Sequence, residues 1–134
     1  MFNLIQKFYG LLRNLFCCAN PDVIIDFIFE NGLLYISIKN IGNKPAYRVS
    51  IKFNNQIIGV EGTKEISSMP LFQNIEFLAP AREIRTFLDT SASYFQSENP
   101  TEITSNITFF NCYGIKKNRV IKHNLEIYKE IGYT

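Results

Sequence analysis

The side chains that could carry chemistry in this 134-residue sequence are few and widely spaced. The only histidine, His123, and a distant cysteine, Cys112, would form a nucleophile–base pair only if the fold brought them together. The other two cysteines, Cys17 and Cys18, are adjacent, and neighbours in sequence cannot readily bond to each other. We therefore expect no disulfide framework, and we interpret His123 as a half-buried strand residue rather than a catalytic base.

Metal, cofactor and substrate sites are not predicted either. A zinc site would need further cysteine or histidine ligands at short spacing. The carboxylates fall in no shared motif, so the sequence gives no support for a glycosidase-type pair. The net charge of +2 is too small for a nucleic-acid-binding protein, which needs a strongly basic face. The prediction is a protein that is not an enzyme, with no cofactor, metal, nucleic-acid partner or small-molecule substrate.

The elements that would position these residues are strands. From Pro21 onward apolar residues alternate in twos, which is typical of half-buried strands. Ile25, Phe27 and Phe29 share one face, and Asn31-Gly32 after them is a strong hairpin signal. Similar alternation recurs along the chain at 33–40, 47–53, 82–89, 101–112 and 119–128, with shorter runs near 56–60 and 75–80. In the run 47–53 we expect Tyr47, Val49, Ile51 and Phe53 to point inward.

The spacing of these runs predicts the fold class. Seven or eight strands recurring about every ten residues, joined by turns, indicate an all-β, two-sheet antiparallel immunoglobulin-like sandwich. Residues 91–99 are expected to form a short helix or loop before Pro100. The predicted organisation is an N-terminal amphipathic helix over residues 1–20 and the sandwich over residues 21–134.

One stretch carries a family resemblance. YISIKNIGNKPAYRVSIKF resembles a pattern of CARDB-type and fibronectin-like β-sandwich domains of bacteria and archaea, in which a strand ends in Asn-x-Gly and the next strand alternates. FLAPAREIRTF resembles the family's Leu-x-Pro-Gly segment, with Ala81 where glycine is usual. The resemblance implies a binding or spacer module. The matching positions are Asn40, Gly42, Ala46, Val49, Ile51 and Phe53. Gly42 suits a turn that needs a positive φ, and Ala46 suits a close approach of two sheets.

The first sixteen residues predict an amphipathic helix. At 100° per residue the apolar side chains cover one arc of about 200°, and polar residues fill the remaining sector. The helix is expected to stop near Asn20-Pro21, because proline cannot continue it. The residues predicted to bind a membrane or partner are Phe2, Leu4, Ile5, Phe8, Tyr9, Leu11, Leu12, Leu15 and Phe16, with the basic Lys7 and Arg13.

What covers this apolar face is left open by the sequence. In one interpretation the helix lies in an anionic membrane interface, since no acidic residue precedes Asp22. In the other it packs on the sandwich or on a second copy of itself. The corresponding functions are a protein-interaction module attached to a membrane or larger assembly, binding its partner through loops or an edge strand, and a self-assembling coat or filament subunit. The location is peripheral to a membrane or, alternatively, cytoplasmic.

A second candidate contact is the basic run at residues 116–119. Lys116, Lys117 and Arg119 lie in or beside a predicted hairpin and would suit phosphates or lipid head groups. A solvated hairpin is the commoner use of such residues, because lysines near sheet edges also prevent unwanted strand pairing. If this hairpin and the N-terminal segment share a side of the molecule, the membrane interpretation is favoured.

Overall fold

The described part of the chain, residues 20–131 of a computed structural model, consists mainly of antiparallel strands joined by turns and loops. Two short helices, α1 (Pro70–Gln73) and α2 (Ser91–Gln96), and a 3-10 helix (Leu125–Tyr128) complete it. Strands β1 to β9 span, in order, Val23–Glu30, Leu33–Asn40, Ala46–Phe53, Ile58–Gly59, Lys64–Glu65, Ile75–Leu78, Glu83–Thr90, Glu102–Phe110 and Lys116–Asn124.

Seven of these strands form two sheets whose apolar faces share one core. The first sheet has the order β1-β2-β7 and the second the order β6-β3-β8-β9, while β4 and β5 form a small separate hairpin. Buried residues from both sheets, such as Ile36 of β2 and Ile107 of β8, belong to a single hydrophobic cluster. The described residues therefore form an all-β, two-layer arrangement, as the strand spacing predicts.

The predicted alternation holds along β1. Ile25 and Phe27 are buried and Phe29 packs against the core, whereas Asp26 and Glu30 are exposed. The Asn31-Gly32 turn has φ values of 53° and 77° at its two residues, which a type I′ hairpin turn requires.

The end of β7 breaks the alternation, because the register against β2 shifts between Leu34 and Tyr35. Two consecutive residues, Leu88 and Asp89, are consequently both buried. Asp89 Oδ1 accepts hydrogen bonds from the backbone N–H groups of Glu61 at 3.2 Å and Thr90 at 2.8 Å. Its Oδ2 has no hydrogen-bond partner among the described residues. A bulge of this kind re-aims a side chain, here a carboxylate, into the interior.

Asn40, the first position of the Asn-x-Gly motif, organises the end of the sheets where β1 begins. Its fully buried side chain accepts from the N–H groups of Asp22 at 3.2 Å and Gly42 at 3.0 Å. Its amide donates to the carbonyls of Lys44 at 2.8 Å and Leu78 at 3.1 Å. One side chain thus satisfies four backbone groups in three separate segments.

The sequence argument for Gly42 was a turn with positive φ, and that argument is wrong. The glycines with positive φ in the described chain are Gly32, Gly62 and Gly114. Gly42 is required by close approach instead, since an added Cβ would lie 2.6 Å from the nitrogen of Asp22 and 2.9 Å from the Cα of Pro21.

Three other expectations are resolved or stay open. The last strand, predicted at 119–128, begins earlier, at Lys116, and ends at Asn124. The Asn124 side chain accepts a hydrogen bond from the N–H of Glu126, and the 3-10 helix begins there. The region 91–99 contains the helix α2, as one of its alternatives allowed. The predicted N-terminal helix, with its residues from Phe2 to Phe16, lies outside the described residues.

Candidate functional site

The two reactive side chains singled out in the sequence lie at opposite ends of the β8–β9 hairpin. Cys112 is exposed in the turn that follows β8, whereas His123 pairs with Ile103 near the other end of the hairpin. His123 is seven positions beyond Lys116, the first residue of β9, so at about 3.3 Å per residue the separation exceeds roughly 20 Å. The fold does not bring these two side chains together.

His123 instead contacts buried residues of the sandwich interior. Its Nε2 lies 2.9 Å from the Oγ of Ser105, and its ring packs edge-on against Phe27 with centroids 4.8 Å apart. Burial lowers the pKa of His123, partly offset by the charge of Asp26. Although a Ser–His contact resembles a nucleophile and its base, Ser105 is completely buried, so its hydroxyl is not presented to a substrate.

An open cavity of about 530 Å³ adjoins this histidine. Its lining is polar and includes Asn54, Asn55, Glu102 and Lys122 beside His123. Two of these side chains already bind backbone: Asn54 Oδ1 accepts from the Thr104 N–H, and Asn55 Nδ2 donates to the Glu102 carbonyl. Among residues 20–131 there is no group of three or more His, Cys, Asp or Glu placed to hold a metal ion.

The predicted basic residues lie on β9, an edge strand of the second sheet, rather than in its turn. Lys116 is exposed and Lys117 is half-buried. The guanidinium of Arg119 lies 2.6 Å from the carboxylate of Asp22, just before β1. Since both side chains are more than a third exposed, this ion pair contributes only about 0–1 kcal/mol to stability. The ion pair instead fixes a position, because it holds Arg119 of β9 beside Asp22, close to where the described chain begins.

We call this end of the sandwich the basic end and define it by Lys44, Arg82, Lys116, Lys117 and Arg119. Three connections lie at this end of the strands, namely the loops 41–45 and 79–82 and the turn 111–115. Hydrogen bonds join the first two directly, because Ala81 donates to the Asn40 carbonyl at 2.9 Å and Asn40 donates to the Arg82 carbonyl at 3.1 Å.

A second surface lies on the outer face of the four-stranded sheet, and sequence reasoning missed it. The register of β3 against β8 shifts between Tyr47 and Ser50, and Arg48 within this bulge has a φ of +49°. Tyr47 was predicted to point inward with Val49, and this is wrong: Val49 is buried, whereas Tyr47 packs on Phe77, which is 54% exposed. The bulge reverses the direction of the side chain by inserting one extra residue.

The same bulge places the Arg48 guanidinium 4.0 Å from the ring centroid of Phe110. Tyr47 is paired with Phe110 on one side and with Phe77 on the other, and the Tyr47 and Phe77 rings are 5.5 Å apart. We call these four residues the aromatic–arginine patch. A positive φ at a non-glycine residue is strained, and such strain concentrates at functional sites.

The signal for this patch in the sequence is weak. Tyr47 and Arg48 sit in an uninterrupted alternating run, and nothing in that run marks the bulge. The short strand containing Phe77 was predicted, but its pairing with β3 depends on the fold.

These features define the class of the described residues as all-β, with two antiparallel sheets around one core. An exposed basic surface lies at one end, and an exposed aromatic–arginine surface lies on one face. The chain belongs to the family described as a domain of unknown function (DUF8453), whose profile matches residues 18–129. No curated protein matches the chain. Within the described residues there is no helix long and apolar enough to cross a membrane.

Proposed function

We propose that this protein is a non-enzymatic interaction module, attached to a membrane surface or larger assembly by its N-terminal segment, that binds a protein partner on the aromatic–arginine patch. The observation that carries the proposal is the Arg48 bulge, in which a strained backbone holds an exposed guanidinium over Phe110 beside Tyr47 and Phe77. Tyrosine, other aromatic residues and arginine are the side chains that interface cores favour.

The surface of the partner that contacts this patch is proposed to be apolar and acidic, because the patch itself is basic and apolar. The outer face of β3, β8 and β9 carries the basic side chains of Arg48, Lys52, Lys116 and Lys122. The exposed carboxylates of Glu76 and Glu102 lie at the margins of this face. Its exposed apolar atoms come from Phe77 and Val120, which are 54% and 55% exposed. A partner that inserts an apolar side chain beside Phe77 and brings a carboxylate to Arg48 would complement both properties.

We further infer that the sandwich is immunoglobulin-like. The support is its strand order, because β1-β2-β7 and β6-β3-β8-β9 correspond to strands A-B-E and C′-C-F-G of that architecture. The resemblance to CARDB-type domains stays a prediction. Since this architecture hosts many functions, it adds no argument about the partner.

The partner site is tested by site-specific photo-crosslinking in the native host. A benzophenone amino acid replaces Phe77, and the control places it at Phe87, which is 37% exposed on the outer face of the other sheet. We expect a discrete protein adduct from position 77 and not from position 87. The purified partner should then bind the Arg48→Ala protein at least tenfold more weakly, in line with hot-spot losses of about 2 kcal/mol.

Two outcomes would contradict this assignment. Equal adducts from positions 77 and 87 would indicate non-specific proximity. Unchanged affinity after both Arg48→Ala and Phe77→Ser, in proteins that melt like the wild type, would place the partner elsewhere.

The attachment is tested separately, by flotation of the full chain with liposomes. We expect Phe8→Asp/Leu12→Asp to lose vesicle binding, because both substitutions place charge on the predicted apolar face. Equal binding by wild type and variant would remove the membrane form of the proposal. The assembly form would then be tested by sedimentation of the intact chain against one beginning at Pro21.

A further inference from the structure

We infer that the basic end of the sandwich is itself a contact surface for an anionic membrane, in addition to the N-terminal segment. This inference deepens the proposed attachment and rests on its membrane form. It assigns a lipid contact to the folded body, and it is argued from charge, exposed apolar tips and chain path.

The charges of the described residues are segregated along the strands. The half of the sandwich that contains the basic end carries eight Lys or Arg residues against four Asp or Glu, while the opposite half carries four against eight. The described body is thus neutral overall but polarised from end to end. The residues of the basic half are Lys39, Lys44, Arg48, Arg82, Arg85, Lys116, Lys117 and Arg119, with Asp22, Asp26, Glu76 and Glu83.

The loops of the basic end carry exposed apolar side chains. Ile41 is 49% exposed in one loop, and Tyr113 and Ile115 are 63% and 52% exposed in the turn after β8. The turn is ordered by the buried Asn111, whose Oδ1 accepts from the N–H groups of Tyr113 at 3.0 Å and Ile115 at 2.9 Å. A tyrosine and two isoleucines surrounded by lysine and arginine are suited to the head-group region of a bilayer.

The chain path brings Pro21 and Asp22, which follow the N-terminal segment in the sequence, to the same end. Pro21 is buried against Gly42, and Asp22 is held by Asn40 and Arg119, so the described chain begins beside the basic end. Those nineteen residues include Lys7 and Arg13 and no acidic residue. A membrane held by the segment would therefore face the positive end of the body. Two weak contacts with one surface bind far more tightly than either alone.

The test uses the full chain and two triple substitutions that make the same change in net charge. The first is Lys44→Gln/Arg82→Gln/Lys116→Gln at the basic end. The second is the control Lys52→Gln/Lys64→Gln/Lys129→Gln, at exposed positions toward the opposite end. Binding is measured to vesicles of phosphatidylcholine with about one-third phosphatidylserine, and to pure phosphatidylcholine vesicles as a reference.

We expect the basic-end variant to bind the anionic vesicles roughly 10- to 100-fold more weakly, since each basic residue near such a surface contributes about fivefold. The control variant should change binding by less than about twofold, because charges more than a Debye length of about 10 Å from the membrane are screened. Thermal melts of both variants exclude unfolding as the cause.

The outcomes separate this inference from the proposed function. If the wild type binds and both triple variants bind equally well, or weaken equally, the basic end is not the contact and the inference fails. In that case loss of binding by Phe8→Asp/Leu12→Asp would leave the proposed attachment intact. If the wild type itself does not bind anionic vesicles, the membrane form of the proposed function fails and the inference fails with it.

Discussion

Replacing Ala81 with glycine should stabilise this fold, because Ala81 occupies a turn position that disfavours a side chain. The turn runs from Ala79 to Arg82, with Pro80 second and a hydrogen bond of 3.1 Å from the Arg82 N–H to the Ala79 carbonyl. Ala81 has a φ of +64°. Proline at the second position and positive φ at the third are the features of a type II turn, which favours glycine at the third position.

The expected gain follows from two opposing terms. The left-handed conformation costs alanine roughly 1–2 kcal/mol, which glycine does not incur. Glycine in turn gives the unfolded chain more freedom, at a cost of about 0.4–1 kcal/mol. The Ala81 side chain is exposed, so removing its methyl group sacrifices little burial. The free energy of unfolding should rise by about 0.5–1 kcal/mol, or roughly 2–4 °C in Tm.

The measurement is thermal and urea unfolding of the full chain, followed by circular dichroism. The matched control is Gly114→Ala, because Gly114 has a φ of +75° and an added Cβ would meet nothing within 4 Å. That substitution creates the strain which Ala81→Gly relieves, so it should lower stability by about 1 kcal/mol. A lower Tm for Ala81→Gly, with Gly114→Ala behaving as expected, would refute the strain argument for this turn.

Two further predictions concern buried polar side chains. Asn40→Ala should lower the free energy of unfolding by about 3 kcal/mol, since it leaves four backbone groups without their partner. The exposed control Asn43→Ala should change it by less than about 0.5 kcal/mol, and similar losses in both would contradict the role of Asn40. Burial lowers the pKa of His123 in the folded protein, so folding favours the neutral imidazole. The resulting stability is fully present above the unfolded pKa of about 6.5 and is lost as pH falls through the lower pKa of the folded state. Urea midpoints should therefore show the wild type losing stability relative to His123→Gln between about pH 7.5 and pH 5, and a constant difference would contradict this.

Much of the fold could be predicted because the hydrophobic pattern has a period of two. Ile25 and Phe27 fall inside the core for that reason, and the Asn31-Gly32 turn follows from local backbone preference. The pattern was misleading where an extra residue enters a strand. At Tyr47 the bulge moves an aromatic ring out of the core, and no local signal announces it.

The candidate surfaces were less predictable than the strands. Lys116, Lys117 and Arg119 could be singled out from sequence, but the position of Arg119 beside Asp22 depends on how two sheets pack. The aromatic–arginine patch combines residues from β3, β6 and β8, which are far apart in the chain. Their contacts exist only after non-local strands pair, so a sequence scan for clusters does not detect them.

By itself the sequence determined the strand alternation, the hairpin turn at Asn31 and the absence of a local cluster of reactive groups, because each depends on neighbours along the chain. The tertiary structure alone decided that Gly42 is needed for space rather than for positive φ, and that Asp89 turns inward. It also decided that the basic end and the entry of the N-terminal segment coincide. These features arise from register and sheet packing, which join residues that no sequence window contains.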